Sequence, residues 1–96
     1  MKILVIGSGG REHALIRTLS RCDPTLSLYA YPGSDAIFQT ARRVTGLQNG
    51  SWTELAQFAR QEEIDLTVCG PEGPLAEGVA DCFRQLGLAF LGPSQA

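Results

Sequence analysis

The stretch that most restricts the fold is KILVIGSGGREHA, from Lys2 to Ala14. Lys2 to Ile6 is an unbroken, largely β-branched apolar run, which suits a strand covered on both faces, as in a parallel sheet. It stops at Gly7, and three glycines fall within the four positions from Gly7 to Gly10. Arg11 to about Cys22 then reads as a helix, with Leu15, Leu19 and Cys22 at the i, i+4, i+7 spacing of one buried stripe. Asp23-Pro24 ends it. A strand, a glycine turn and a helix in that order form the opening of a βαβ unit.

The same alternation runs on. Leu26 to Ala30 is a second strand, closed by Pro32-Gly33. Ser34 to Thr40 is a candidate short helix, and Arg43 to Thr45 a brief edge strand before Gly46. Ser51-Trp52-Thr53-Glu54 has the form of a capping box and opens a helix to about Glu62, with Leu55, Phe58 and Ala59 on one side. Asp65 to Cys69 is another core strand. Pro74 sits where a helix tolerates proline best, and Leu75, Val79, Phe83 and Leu86 form the stripe of the helix it begins. Gly87 closes that helix. Leu88 to Leu91 is the last strand, stopped by Gly92-Pro93. Strands alternating with helices imply an α/β fold: a Rossmann-like, doubly wound parallel sheet of about five strands with helices on both faces.

Size and composition fit one small domain. The chain has 96 residues, 44% of them hydrophobic and 19% charged, which is a globular balance. A net charge of −2 gives no general pull toward nucleic acid or an anionic membrane. No apolar run approaches the ~20 residues of a membrane span, and the first one is too short for a signal peptide. Cys22, Cys69 and Cys82 are odd in number and far apart, with no C-x-x-C pair and a single histidine. Three free thiols in a reducing cytoplasm, and no zinc site, are expected. Cys69 belongs in a buried strand and Cys82 on a helix face. With no basic partner nearby in sequence, neither is expected to be catalytic.

In open parallel sheets, ligands bind beyond the carboxyl ends of the strands, where strand order reverses. Two unusual turns fall at such ends: Gly7 to His13, and Gly70-Pro71-Glu72-Gly73-Pro74. The strands before them are neighbours in a doubly wound sheet, so the turns are expected to form one site. In the first, Gly7 permits a tight exit from the strand, and Gly9 and Gly10 let a ligand approach bare backbone. The helix start offers unpaired N–H groups and partial positive charge, both suited to an oxyanion.

A dinucleotide is the default guest of such a turn, but the fingerprint is incomplete. In G-x-G-x-x-G/A, Gly7 and Gly9 fit, while the third glycine position holds Glu12. The acid expected about 20 residues on is also missing, since the second strand runs into Ala30, Tyr31 and Pro32. A Walker A loop is excluded because no Gly-Lys-Ser/Thr follows. Arg11 opposes the helix dipole, which favours a ligand or ion-pair role over an idle one. Glu12 suits a first turn electrostatically and is equally readable as structural. His13 is best read as structural. Glu72, between Gly-Pro and Gly-Pro, can accept two hydroxyl hydrogen bonds, as a sugar diol offers. Its alternative is a first-turn acid of the helix that begins at Pro74.

Taken together, these residues resemble the N-terminal domain of the phosphoribosylamine–glycine ligase (glycinamide ribonucleotide synthetase) family. The resemblance rests on KILVIGSGGREHAL, Pro32-Gly33, DLTVCGPEGPLAEGVADCFRQLGL from Asp65 to Leu88, and FLGPSQA at the end. It covers essentially the whole chain, with Ile37 to Asn49 carrying little of it. The family's loop after the second strand reads like PGNAGT, whereas Pro32 to Ile37 here is PGSDAI.

The resemblance implies an ATP-grasp ligase of purine biosynthesis. Such an enzyme activates glycine with ATP and magnesium (or manganese) as an acyl phosphate. The amine of 5-phosphoribosylamine then attacks, giving glycinamide ribonucleotide, ADP and phosphate. Residues 1–96 would be its N-terminal substrate-binding domain, with no catalytic or metal-binding residue of its own. ATP and the metal would belong to ATP-grasp and C-terminal domains absent from this chain. The substrate-binding residues would be Gly7, Ser8, Gly9, Gly10, Arg11, Glu12, Pro32, Gly33, Gly70, Pro71 and Glu72, with Glu72 on the ribose hydroxyls. The partners would be that small molecule and the enzyme's remaining domains, in the cytoplasm, with no nucleic acid or membrane. The chain would be an excised or truncated opening domain, inactive alone. The competing expectations are an NAD(P)- or nucleotide-binding Rossmann module and the equivalent domain of another ATP-grasp enzyme. GREHA disfavours the second of these.

Overall fold

A computed structural model describes residues 1–45, 47, 51–70 and 78–92. Its centre is a five-stranded sheet in the order β3-β2-β1-β4-β5, with every neighbouring pair parallel. The strands are β1 (Lys2–Gly7), β2 (Ser27–Pro32), β3 (Arg42–Arg43), β4 (Leu66–Cys69) and β5 (Phe90–Leu91). Among the described residues the helices are α1 (Gly10–Cys22), α2 (Trp52–Gln61) and α3 (Val79–Gln85). The chain winds outward from β1 in one direction through β2 and β3, then crosses back to β4. The reversal of order falls between β1 and β4, as the two glycine-rich turns imply.

The apolar run of β1 is buried on both faces because its residues alternate between two cores. Leu4 and Ile6 join Leu55, Ala56, Ala59, Val79 and Phe83 beneath α2 and α3. Ile3 and Val5 join Ile16, Leu28, Ala30, Ile37 and Ala41 beneath α1 and the 3-10 turn. Each cluster is the apolar stripe of its helices pressed on alternate strand residues, the layered arrangement of an α/β domain.

Several local expectations are sharpened. In α1 the buried stripe is Glu12 and Ile16, with Leu15 and Leu19 half-buried beside them, while Cys22 is exposed. At 3.6 residues per turn Cys22 falls well off the Glu12–Ile16 stripe, so the expectation that it is buried is corrected and it faces solvent. The second strand starts at Ser27 because the Leu26 N–H donates to Asp23 O (3.1 Å), and it runs on through Pro32. Ser34 to Thr40 contains only a 3-10 turn, Ile37–Gln39, led by Ser34, whose Oγ accepts the Ile37 N–H at 3.3 Å. The edge strand is Arg42–Arg43, one residue earlier than its apolar neighbours suggest. The last strand begins at Phe90, since the Leu88 N–H turns back to Phe83 O (3.0 Å) to finish α3. Gly87, at φ +72°, makes that finish, as expected. The helix start at Pro74 and Leu75 lies outside the described residues.

Candidate functional site

Parallel strands send all their carboxyl ends to one edge, and the helices between them begin there. Register fixes the details. Gly7 of β1 pairs with Pro32 of β2, and Ile6 pairs with Cys69 of β4, so Gly7, Pro32 and Gly70 emerge side by side. The Gly33 N–H donates to Gly7 O at 3.0 Å and binds the second loop to the first turn. Gly33 itself adopts φ +74°, where a side chain would also collide with the Phe38 ring.

At this edge a cavity of about 480 Å³ is lined by Ile6, the turn from Gly7 to Glu12, Pro32 and Trp52. The turn contributes Ser8, Gly9, Gly10 and Arg11, of which all four are exposed. The N-cap of α1 is Gly9, which has no side chain to cap the helix. The first turn of α1 therefore lines the cavity without a capping oxygen from the N-cap side chain, at the positive end of the helix.

Glu12 explains much of the glycine content. It is 9% exposed and turns inward rather than into solvent. Its Oε2 accepts the Gly9 N–H at 3.1 Å, the backward half of a capping box. Its side chain passes between the ends of β1 and β4. A Cβ on Gly7 would collide with Glu12 Cγ, and one on Gly70 would stand 2.6 Å from Oε1. A Cβ on Gly9 would stand 3.0 Å from Oε2, while one on Gly10 would meet nothing within 4 Å. Three of the four glycines thus make room for a glutamate, and Gly10 alone is open to whatever approaches from outside. In a dinucleotide site the third glycine lets helix and strand close up. Here the position holds a carboxylate laid flat in the gap, and it occupies one of the N–H donors that a pyrophosphate would use.

Beyond Glu12 lies a smaller hollow of about 110 Å³, lined by Val5, Arg11, Glu12, Leu15, Val68 and Gly70. Arg11 and Glu12 border both spaces, and Gly70 meets the first turn through Glu12. Cys69, which ends β4, is 1% exposed. Burial pushes its thiol up to about 11, and the negative charge of Glu12 adds to the effect. It is a neutral, inert thiol at physiological pH. Pro71 and Glu72 lie outside the described residues.

Trp52 is the cavity residue that motif reading misses. It is the first residue of α2 after the Ser51 cap, whose Oγ accepts the Glu54 N–H at 3.2 Å. The signal was available: every helix following a strand in such a sheet starts at the carboxyl edge, so a large side chain in a first turn reaches toward the site. Its ring stands edge-on to Tyr31, with centroids 6.2 Å apart and planes at 89°. Among the described residues no group of three or more His, Cys, Asp or Glu side chains could hold a metal ion. No described helix is long and apolar enough to cross a membrane.

Residues 1–96 match the family model described as phosphoribosylglycinamide synthetase, N domain. The chain belongs to that family. Similar curated proteins carry the name phosphoribosylamine–glycine ligase. The phosphoribosylamine–glycine ligase of Caldanaerobacter subterraneus subsp. tengcongensis is 44% identical over 95 residues, covering 99% of this chain. Those of Ralstonia nicotianae and Agrobacterium fabrum are each 44% identical and cover 100% of it. The chain spans 22% of the length of each of these three relatives. For a phosphoribosylglycinamide synthetase N domain, the glycine turn at β1 and the cavity beside it are the natural candidate for the ligand-binding edge.

Proposed function

We propose that this N domain binds the phosphoribosyl substrate of a phosphoribosylamine–glycine ligase of purine biosynthesis. In that parent enzyme glycine reacts with ATP to give glycyl phosphate and ADP. The amine of 5-phosphoribosylamine then displaces phosphate from the acyl carbon, leaving glycinamide ribonucleotide. The observation that carries the reading is the cavity itself: uncapped N–H groups and Arg11 at one side, bare glycine backbone beneath, and room for one small ligand. The names of the relatives supply the substrate class.

In this reading Gly10, Ser8 and Arg11 receive the phosphosugar, and Glu12 shapes the turn from within. Pro32, held beside Gly7 by the sheet register, and Gly33, through its bond to Gly7 O, fix the adjoining wall. Gly70 accommodates Glu12, and Pro71 and Glu72, which follow it in sequence, belong to the same proposed substrate-binding set. ATP and magnesium (or manganese) are held by an ATP-grasp unit elsewhere in the parent. The sequence carries no Gly-Lys-Ser/Thr loop for the triphosphate. A reducing, cytoplasmic setting suits three cysteines that form no disulfide.

Binding and turnover by the 96-residue chain test this directly. Glycinamide ribonucleotide should bind saturably in equilibrium dialysis and NAD should not. The chain with glycine, ATP, magnesium and 5-phosphoribosylamine should form no product. Binding of NAD in preference to the ribonucleotide would overturn the assignment, and ATP-dependent product formation would overturn the claim that the chain is not catalytic alone.

A further inference from the structure

The cavity has two chemically different sides. The β1–α1 turn is polar backbone with Arg11, whereas Ile6, Pro32 and Trp52 are apolar. A bare anion needs only the first. A ligand that fills both must carry an anionic group and, a few ångströms away, a face of C–H bonds. A furanose phosphate has that pattern: phosphate at one end and a ring whose faces are largely carbon and hydrogen. Indole is the broadest surface in the protein for such a face, and aromatic walls with a few placed polar groups are the usual make-up of small-molecule pockets.

Trp52 is built to serve as that surface. Ser51 fixes the start of α2 beneath it, and Tyr31, which pairs with Ile6 in the sheet, meets its ring edge-on. It is half-buried, so one part is anchored in the core and another faces the cavity. Among the described residues, the opposite side of the glycine turn offers no comparable room. The hollow near Gly70 is about 110 Å³, well under the roughly 300 Å³ at which ligand pockets begin. Glu12 stands between the two spaces.

We infer that the sugar ring of the phosphoribosyl ligand lies on the β2 side of the glycine turn, with its C–H face against the Trp52 indole. Trp52 is then a ligand-binding residue that distinguishes a phosphosugar from free phosphate. The inference rests on the phosphoribosyl reading above and adds to it the side of the turn and the residue that meets the ring.

Trp52 is the single tryptophan of the chain, so its emission reports on this one position. Glycinamide ribonucleotide is titrated into the 96-residue chain with emission and equilibrium dialysis read on the same samples, and inorganic phosphate serves as the control. A saturable emission change is expected, with the midpoint found by dialysis, and inorganic phosphate should leave emission unchanged. Trp52→Ala should weaken dialysis binding roughly tenfold and Trp52→Phe by less than about threefold, with circular dichroism unaltered. If Trp52→Ala does not fold, Trp52→Phe and the wild-type emission decide. Ribonucleotide binding with silent emission and unchanged affinity in the Trp52 variants overturns the contact but leaves the phosphoribosyl reading standing. An equal emission change with inorganic phosphate also overturns it. Absence of ribonucleotide binding altogether overturns both.

Discussion

Glu12 takes its charge to a place where few carboxylates go, 9% exposed and wedged between the ends of β1 and β4. Gly70 isolates the consequence. Its φ is not in the positive range, so alanine is compatible with the backbone there, and the three nearest atoms to an added Cβ all belong to Glu12. Gly70→Ala should therefore cost about 1–3 kcal/mol by overpacking. In a Glu12→Ala background the same substitution should cost less than about 0.5 kcal/mol, because the clashing partner is gone. Urea denaturation of the four proteins measures the difference; an undiminished cost in the double variant would mean that another group fills the gap. The neighbouring Cys69 gives a pH signature. Burial, with the Glu12 charge, pushes its folded thiol up to about 11 from the ordinary 9.0. Between those values the unfolded chain releases a proton that the folded chain keeps. Stability should then fall as pH rises above about 9, with a slope approaching 1.4 kcal/mol per pH unit, roughly the limit for one group. Denaturation near pH 8 and near pH 10 should show this loss in the wild type and a smaller one in Cys69→Ala.

At the scale of elements, the punctuation in the sequence carries most of the information. Ser51 does cap α2, and its replacement by alanine should cost about 1 kcal/mol, read as a lower urea midpoint with an unchanged slope. Gly87 ends α3, and the apolar runs at Lys2–Gly7 and Leu66–Cys69 are central strands as their composition requires. The misses share a cause. A helical stripe searched for through apolar residues skips Glu12, because a buried carboxylate looks polar in sequence, and so it shifts toward Cys22. The short edge strand Arg42–Arg43 has no apolar alternation of its own. It exists because Val44 N–H and the strand before it find the open edge of β2, with Arg42 over the Tyr29 ring and Arg43 over the Phe38 ring. Tertiary pairing decides such elements, and no local signal announces them. The same holds at the site: the glycines of the first turn are legible, but that Gly7 and Gly9, together with Gly70 across the sheet, serve Glu12 follows only from the adjacency of β1 and β4.

Over the whole molecule, strand order converts separated motifs into one edge. With β1 at the centre of the order β3-β2-β1-β4-β5, the first turn is flanked by the end of β2 on one side and of β4 on the other. The start of α2 reaches the same edge, which is how Trp52 joins a cavity nearly fifty residues away in sequence from Gly7. A domain of this size has little surplus stability, so occupancy of that edge should register globally. Glycinamide ribonucleotide at about a hundred times its Kd should stabilise the fold by about 2.7 kcal/mol through mass action. For 96 residues that corresponds to a rise in Tm of roughly 10–20 °C. Thermal scans with the ribonucleotide, inorganic phosphate and NAD at matched concentrations check this. A phosphosugar site predicts the large rise with the ribonucleotide and little with the other two. Equal rises with all three would reduce the edge to an unselective anion site, because selectivity requires the apolar wall as well as the helix start.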